Sequence, residues 1–334
     1  MGLRPGRATI AILMAALLCC AWTGRASATF IYTTLDGPLG AQGTYLTGMS
    51  NGIIAGGYWD PSHSQERGFR YDGSAYASID YHDFSTLSAN TDPYAISGNI
   101  IVGKYYATAF SFSTPHGFKY DGTGYTRIDH PLAGSLGTSA YGVDGAVIVG
   151  SYFDSSQFPV SHGFSYNGST FTTLNDPSAA PSSAGGTAAL GISGNVIVGN
   201  YADSVGTHGF SYNGSTWKTI DDPLAVHSSG SPGHGTSARG VSGSNIIGSY
   251  WDGTTDRAFL YDGSTYTTID VPNGTTTRLY GISGNTLYGS YVDSNSITRG
   301  VIVTVPEPGS IASLMLPAAY LLRRRSRLRA AFVV

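Results

Sequence analysis

Three histidines sit in the same local sequence, His116-Gly-Phe118, His162-Gly-Phe164 and His208-Gly-Phe210, and a set of this kind invites metal-binding or acid–base chemistry. The repeat argues against it. Arg67, Arg257 and Arg299 fill the equivalent position elsewhere in the chain, and an arginine cannot replace a metal ligand because it has no free lone pair. Histidine and arginine share N–H donors and positive charge, so the expected role is an ion pair with the aspartate that opens the same loop: Asp60, Asp154, Asp203, Asp252 or Asp293. Those aspartates carry oxygens of the kind calcium takes. No loop, however, has the alternating acidic spacing of a dedicated calcium site, and Asx turns account for them more simply. Aromatic faces offer a different chemistry, since sugars stack on them while a hydroxyl reaches a partner. Six of the 23 tyrosines belong to a recurring Gly-x-Tyr and read as packing residues; Trp59, Phe153 and Trp251, which follow three of those tyrosines, vary and are better placed for a ligand. No Ser/His/Asp order, paired-carboxylate motif or metal-ligand spacing marks a catalytic centre.

The elements that position these residues repeat. Gly-x-Tyr ends at Tyr58, Tyr105, Tyr152, Tyr201, Tyr250 and Tyr291, at intervals of 47, 47, 49, 49 and 41 residues. Within residues 191–223, three short apolar runs follow a small-residue segment, and His208, Phe210 and Tyr212 alternate with Gly209 and Ser211 as one face of a strand does. Asn213-Gly214 then reads as a two-residue hairpin with positive φ at both central positions. Asp72-Gly73, Asp121-Gly122, Asn167-Gly168 and Asp262-Gly263 recur at the same place. Four strands per unit at this period predict an all-β fold, a six-bladed β-propeller of four-stranded blades. The small-residue strand is expected nearest the axis, where side-chain room is least, and the Tyr-Thr-Thr-Ile-Asp strand outermost.

Residues 30–38, Phe-Ile-Tyr-Thr-Thr-Leu-Asp-Gly-Pro, match residues 265–272 of the last hairpin, although no first three strands precede them. The sixth unit has three strands and no fourth. The N-terminal strand is therefore expected to complete the last blade and close the ring, leaving no exposed sheet edge.

Residues 1–28 have Arg4, Arg7, an apolar run and Ala26-Ser27-Ala28, the layout of a secretory signal peptide. The only cysteines, Cys19 and Cys20, lie in it. Residues 29–304 hold 20 acidic and 10 basic residues, a formal charge of −10, which argues against nucleic acid as a partner. At residue 305 the character changes. Val305-Pro306-Glu307-Pro308, an apolar segment and a block containing Arg323, Arg324 and Arg325 make a tail, residues 305–334, that resembles the PEP-CTERM sorting signal of Gram-negative envelope and biofilm proteins. The resemblance implies a hydrophobic and basic helical tail, transient anchoring in the inner membrane, and an exosortase-type processing enzyme as partner. The repeats resemble the extracellular repeats called HAF, a family with no defined activity.

These readings predict an exported cell-surface or matrix protein, associated with exopolysaccharide or another surface protein, with a binding or structural role and no cofactor. The alternative is a carbohydrate-active propeller enzyme, a glycan hydrolase or lyase, which requires clustered carboxylates at the central channel. Loops between second and third strands and links between blades share one face and vary in length, so a ligand is expected on the face bearing Trp59, Asp60, Phe153, His227, His234 and Trp251.

Overall fold

Each repeat folds as an antiparallel meander because its apolar positions alternate and its turns carry glycine where the chain reverses. The structure is a computed structural model and describes residues 30–38, 43–62, 65–81, 90–106, 114–182, 185–228 and 234–305. The signal-peptide segment and the tail from Pro306 onward, with Glu307, Pro308, Arg323, Arg324 and Arg325, lie outside them. Residues Tyr32–Thr304 form one compact unit.

Twenty-four strands are described. After β1 (Ile31–Leu35), the first meander is β2 (Thr44–Ser50), β3 (Ile53–Asp60), β4 (Gln65–Tyr71) and β5 (Tyr76–Ile79). The second is β6 (Thr91–Ser97), β7 (Ile100–Tyr106), β8 (Pro115–Tyr120) and β9 (Tyr125–Ile128). The third is β10 (Thr138–Asp144), β11 (Val147–Phe153), β12 (Ser161–Tyr166) and β13 (Phe171–Leu174). The fourth is β14 (Gly186–Ser193), β15 (Val196–Ala202), β16 (Thr207–Tyr212) and β17 (Trp217–Ile220). The fifth is β18 (Thr236–Ser242), β19 (Asn245–Trp251), β20 (Asp256–Tyr261) and β21 (Tyr266–Ile269). Three strands end the series, β22 (Thr276–Ser283), β23 (Thr286–Val292) and β24 (Thr298–Thr304). Strand β1 pairs with β24, giving the order β1-β24-β23-β22 expected for closure by the N-terminal strand.

The expectation of six separate four-stranded sheets is corrected. The strands form five sheets, four of four strands and one of eight, because a parallel bridge between Ser161 and Gly186 joins the third and fourth meanders. Gly186 makes this possible: its φ is +111° and a Cβ there would lie 2.3 Å from the Ser161 carbonyl oxygen, so only glycine lets β14 start against β12.

The five four-stranded meanders are held by the same core. Phe69, Phe118, Phe164, Phe210 and Phe259, on the third strands, are fully buried. Their rings lie over the glycines of Gly-x-Tyr; at Gly56, Gly103, Gly150, Gly199 and Gly248 an added Cβ would come within 2.9 Å of the ring. The motif tyrosines pack inside, and Tyr152, Tyr201 and Tyr250 turn their hydroxyls to Thr173, Thr219 and Thr268 of the fourth strands. In the closing sheet Tyr291 reaches Thr34 of β1 in the same way, at 3.1 Å.

The first strands lie innermost. Each carries a β-bulge at one equivalent residue, Thr47, Tyr94, Tyr141, Leu190, Arg239 or Tyr280, and these six line the narrowest part of a central channel. A bulge sets two residues of one strand against one of its neighbour, so it re-aims one side chain and moves the pairing beyond it by one residue. Small residues next to the bulges let neighbouring inner strands approach; a Cβ on Gly240 would lie 2.9 Å from Gly281 Cα.

The Asn/Asp-Gly turns depart from the expected two-residue form. β16 ends at Tyr212 and β17 begins at Trp217, so four residues connect them. Gly214 has φ +94°, but Asn213 does not have positive φ. Asn213 Oδ1 instead accepts from the Ser215 and Thr216 amides at 3.0 and 2.8 Å. The turn needs a side-chain acceptor, which explains why aspartate and asparagine interchange there.

Candidate binding site at the channel mouth

At five of the six third strands the basic position meets the expected loop aspartate, and at all six it has a partner the sequence reading did not name. Arg67 Nε donates to Asp60 at 2.9 Å, Arg257 Nε to Asp252 at 2.7 Å and Arg299 Nε to Asp293 at 3.1 Å; His162 Nε2 lies 3.3 Å from Asp154 and His208 Nε2 3.3 Å from Asp203. A second group closes from the residue after the fourth strand: Asp80 on Arg67, Asp129 on His116, Asn175 on His162, Asp221 on His208, Asp270 on Arg257 and Asp36 on Arg299. The recurring Ile-Asp and Leu-Asp endings were the available signal for these partners. The Asp36–Arg299 pair, at 2.6 Å, joins β1 to β24.

The six sequence candidates divide. Trp59 is 39% exposed. Asp60 is 4% exposed and held by Arg67 and the Ser62 amide, so its carboxylate is committed to structure. Phe153 is half-buried, with backbone bonds to Gly134 and Gly137. His234 stacks flat on Trp251 with centroids 4.4 Å apart and planes at 2°, and His227 stacks on His208 at 4.5 Å. Trp59, Phe153 and Trp251 lie in the last two residues of the second strands of three different meanders, so the ring separates them rather than gathering them in one cleft. His208, Asp221 and His227 bring three ligand atoms within 4.8 Å of one another. Stacked imidazoles direct their in-plane lone pairs side by side, however, and His208 Nδ1 is already bonded to Asp221 at 2.7 Å, so the group serves packing better than coordination.

The same face bears a cavity that the sequence reading did not single out. It occupies about 520 Å³ where the channel opens, beside the starts of the first and third strands and the ends of the second. Its wall holds Tyr45, Glu66, Asp92, Tyr94, Lys104, Tyr141, Arg239, Arg278 and Tyr280. The charges are mostly paired. Lys104 Nζ lies 3.6 Å from Asp92 Oδ2 and over the rings of Tyr94 and Tyr106, while Arg278 donates to Asp256 at 2.5 and 3.0 Å. The Tyr45 hydroxyl donates to Glu66 at 3.4 Å and Asp92 at 3.5 Å.

Burial shapes the acid–base behaviour of this group. Asp92 is pushed up to about 7, first by loss of solvent, with Glu66 adding to the rise and Lys104 opposing it. Burial alone would pull Lys104 down, but the oxygens of Tyr94 and Asp92 outweigh it and hold the ammonium above its usual value. Tyr45 and Tyr94 are raised, chiefly by burial, and stay protonated donors. The Tyr45 hydroxyl, within 3.5 Å of both carboxylates, links Glu66 to Asp92. The signal for these residues lay in the inner strands: a large or charged side chain, at Tyr94, Tyr141, Arg239 and Tyr280, interrupts segments that are otherwise small or aliphatic.

No protein-family model matches the chain, and no characterised protein sequence matches it. Among solved structures it is similar to the β-propeller domain of the Trilobed protease from Pyrococcus furiosus, described as having an open velcro topology, at 10% identity over 84% of this chain and 82% of that one, with a TM-score of 0.50. It also matches a Trypanosoma rangeli sialidase in complex with the inhibitor DANA, at 11% identity over 92% of this chain and 64% of that one, with a TM-score of 0.47. The first likeness establishes the β-propeller fold, with four-stranded blades. Among the described residues no helix is long and apolar enough to cross a membrane.

Proposed function

We propose that this chain is an exported β-propeller of six blades, five meanders and the closing sheet, that binds polysaccharide at the cell surface or in the extracellular matrix. The observation that carries the reading is the mouth cavity: its volume falls in the ordinary range for small-ligand sites, and its wall combines tyrosine faces with hydroxyl, carboxylate and cationic donors and acceptors on a rigid scaffold. Export rests on the signal-peptide layout of residues 1–28 and on the tail beginning Val305-Pro306-Glu307-Pro308, which an exosortase-type enzyme would process at the inner membrane. Trp59 and the Trp251–His234 stack stand on the same face and extend the surface over which a polymer would run. Glycan-array binding tests this. Trp59→Ala together with Trp251→Ala should weaken binding several-fold while leaving the melting temperature within a few degrees of wild type; binding untouched by the pair would remove the outer surface from the site. Mass spectrometry of the mature C-terminus in cell fractions tests the sorting route.

A second reading, a glycan hydrolase, is favoured by the Glu66–Asp92 pair at the mouth. The geometry weighs against it. Glycosidase carboxyl groups flank an open space for the sugar carbon or a water, whereas these two share the Tyr45 hydroxyl as a common donor and Asp92 is tied to Lys104. Such a pair binds and orients a hydroxyl better than it attacks an anomeric carbon. Release of reducing sugar from a bound polymer, abolished by Glu66→Gln, would reverse this ordering.

A further inference from the structure

The channel narrows below the mouth. At the six bulge residues it shrinks to a space of about 30 Å³, room for a water molecule or two. A ligand entering the mouth therefore meets a floor, and that floor is chemically uneven. Thr47, Tyr94, Tyr141, Leu190 and Tyr280 are uncharged, and Arg239 is the one charged residue of the six. Its guanidinium lies over the Tyr280 ring, 5.6 Å from the centroid. Its Nε is buried and has no hydrogen-bond partner among the described residues. Above it, Lys104 has Asp92 and Arg278 has Asp256, so the mouth's other cations are already matched with carboxylates.

Arg239 lines both the mouth cavity and its floor, and no carboxylate among the described residues pairs with it; a guanidinium left so favours an anion that a ligand brings. We propose that Arg239 receives a carboxylate, and that the mouth takes the terminal residue of an acidic, uronate-bearing polysaccharide. The proposal rests on the saccharide reading above and adds the charge of the sugar. A carboxylate fits where bulkier anions do not: it is flat, its two oxygens match the guanidinium fork, and the space at the floor is small. It carries a single negative charge, which the nearby Glu66 and Asp92 tolerate better than they would the two charges of a phosphate monoester. The sugar ring would then lie higher, against Tyr45 and Tyr280, which meet edge to face at 6.5 Å.

The test is titration calorimetry of the full repeat unit with an oligoglucuronate, the matching neutral oligoglucoside and sodium sulfate, repeated on Arg239→Gln and Arg239→Lys after their melting curves are compared with wild type. Wild type should bind the oligoglucuronate at least about tenfold more tightly than the oligoglucoside, and Arg239→Gln should abolish that preference. Arg239→Lys, which keeps the charge without the fork, should retain only part of it, and serves if the glutamine variant melts early. Equal affinity for the two oligosaccharides, or a preference that survives in Arg239→Gln, overturns the carboxylate assignment while leaving the saccharide reading standing. Binding of neither oligosaccharide overturns both. Sulfate that competes as well as the oligoglucuronate reduces the site to a plain anion site and overturns the sugar component.

Discussion

Asp92 and the turn aspartates sit at opposite ends of carboxylate behaviour, and each sets a limb of the stability–pH curve. Asp92 has a folded value pushed up to about 7 by burial, so between pH 4 and 7 the folded chain holds a proton that the unfolded chain has released. Stability from this group therefore falls as pH rises through that window. Asp92→Asn imitates the protonated form, and the gap between the melting curves of wild type and variant should open from pH 5 to pH 8, the variant being the more stable at the alkaline end. A constant gap would show that Asp92 ionises as freely in the fold as out of it. Asp72 and Asp121 run the other way. The Ala75 amide and Ser74 hydroxyl hold the first near 2, and the Thr123 hydroxyl and Gly124 amide hold the second there. Their contribution is complete above the ordinary carboxylate value and is lost as pH falls toward 2, so Asp72→Asn, which keeps the acceptor, should flatten the acid limb of thermal melts. These pairings were only half legible in the sequence. The Arg and His partners at Asp60, Asp154, Asp203, Asp252 and Asp293 could be read because they lie in the same loop, whereas Glu66 of β4 meets Asp92 and Lys104, which face each other across β6 and β7, from a different meander, and nothing local announces that meeting.

The hairpin between third and fourth strands is the element whose chemistry was named correctly and whose geometry was not. An Asn-Gly pair between alternating residues signals a two-residue turn, yet Asn213 caps a four-residue connection with its side chain, and only Gly214 takes positive φ. The true two-residue reversals are between first and second strands, as at Asn51 and Gly52, where both φ values are positive, +51° and +79°. Two substitutions separate the roles. Asn213→Asp should be nearly neutral, since aspartate fills this place in three other repeats, whereas Asn213→Ala should cost about 1 kcal/mol by leaving the turn amides without their acceptor. Gly214→Ala should cost a similar amount through backbone strain alone. Urea titration resolves differences of this size, and an alanine variant at Asn213 as stable as the aspartate variant would show that the cap contributes nothing. The fused eight-stranded sheet was illegible for a different reason: it depends on one bridge at Gly186, whose positive φ no neighbouring residue demands.

At the scale of the whole unit, the period and the displaced N-terminal strand were enough to anticipate a closed ring, because residues 30–38 copy a fourth strand and the last repeat lacks one. What tightens the closure could not be seen: Asp36 meets Arg299, and Thr34 meets Tyr291. Deleting residues 30–36 should bare the edge of β24 and lower the melting temperature by 10 °C or more, about what a loss of a few kcal/mol gives in a domain of this size, with aggregation appearing alongside; a deletion variant that melts as wild type would mean that the ring is held without its seam. The seam also imposes an order in time. Asp36 and Arg299 are 263 residues apart, and bringing such distant points together costs about 5 kcal/mol of chain entropy beyond the fixed term. During synthesis β1 emerges first and β24 last, separated by on the order of tens of seconds of elongation, and in that interval β1 has no edge to join. The other meanders can form from local contacts as they appear, but the ring cannot shut until nearly the whole repeat region has been made. A product broken off anywhere before β24 is thus left with a permanently idle first strand and an open, sticky side, so that the fold itself distinguishes finished chains from unfinished ones.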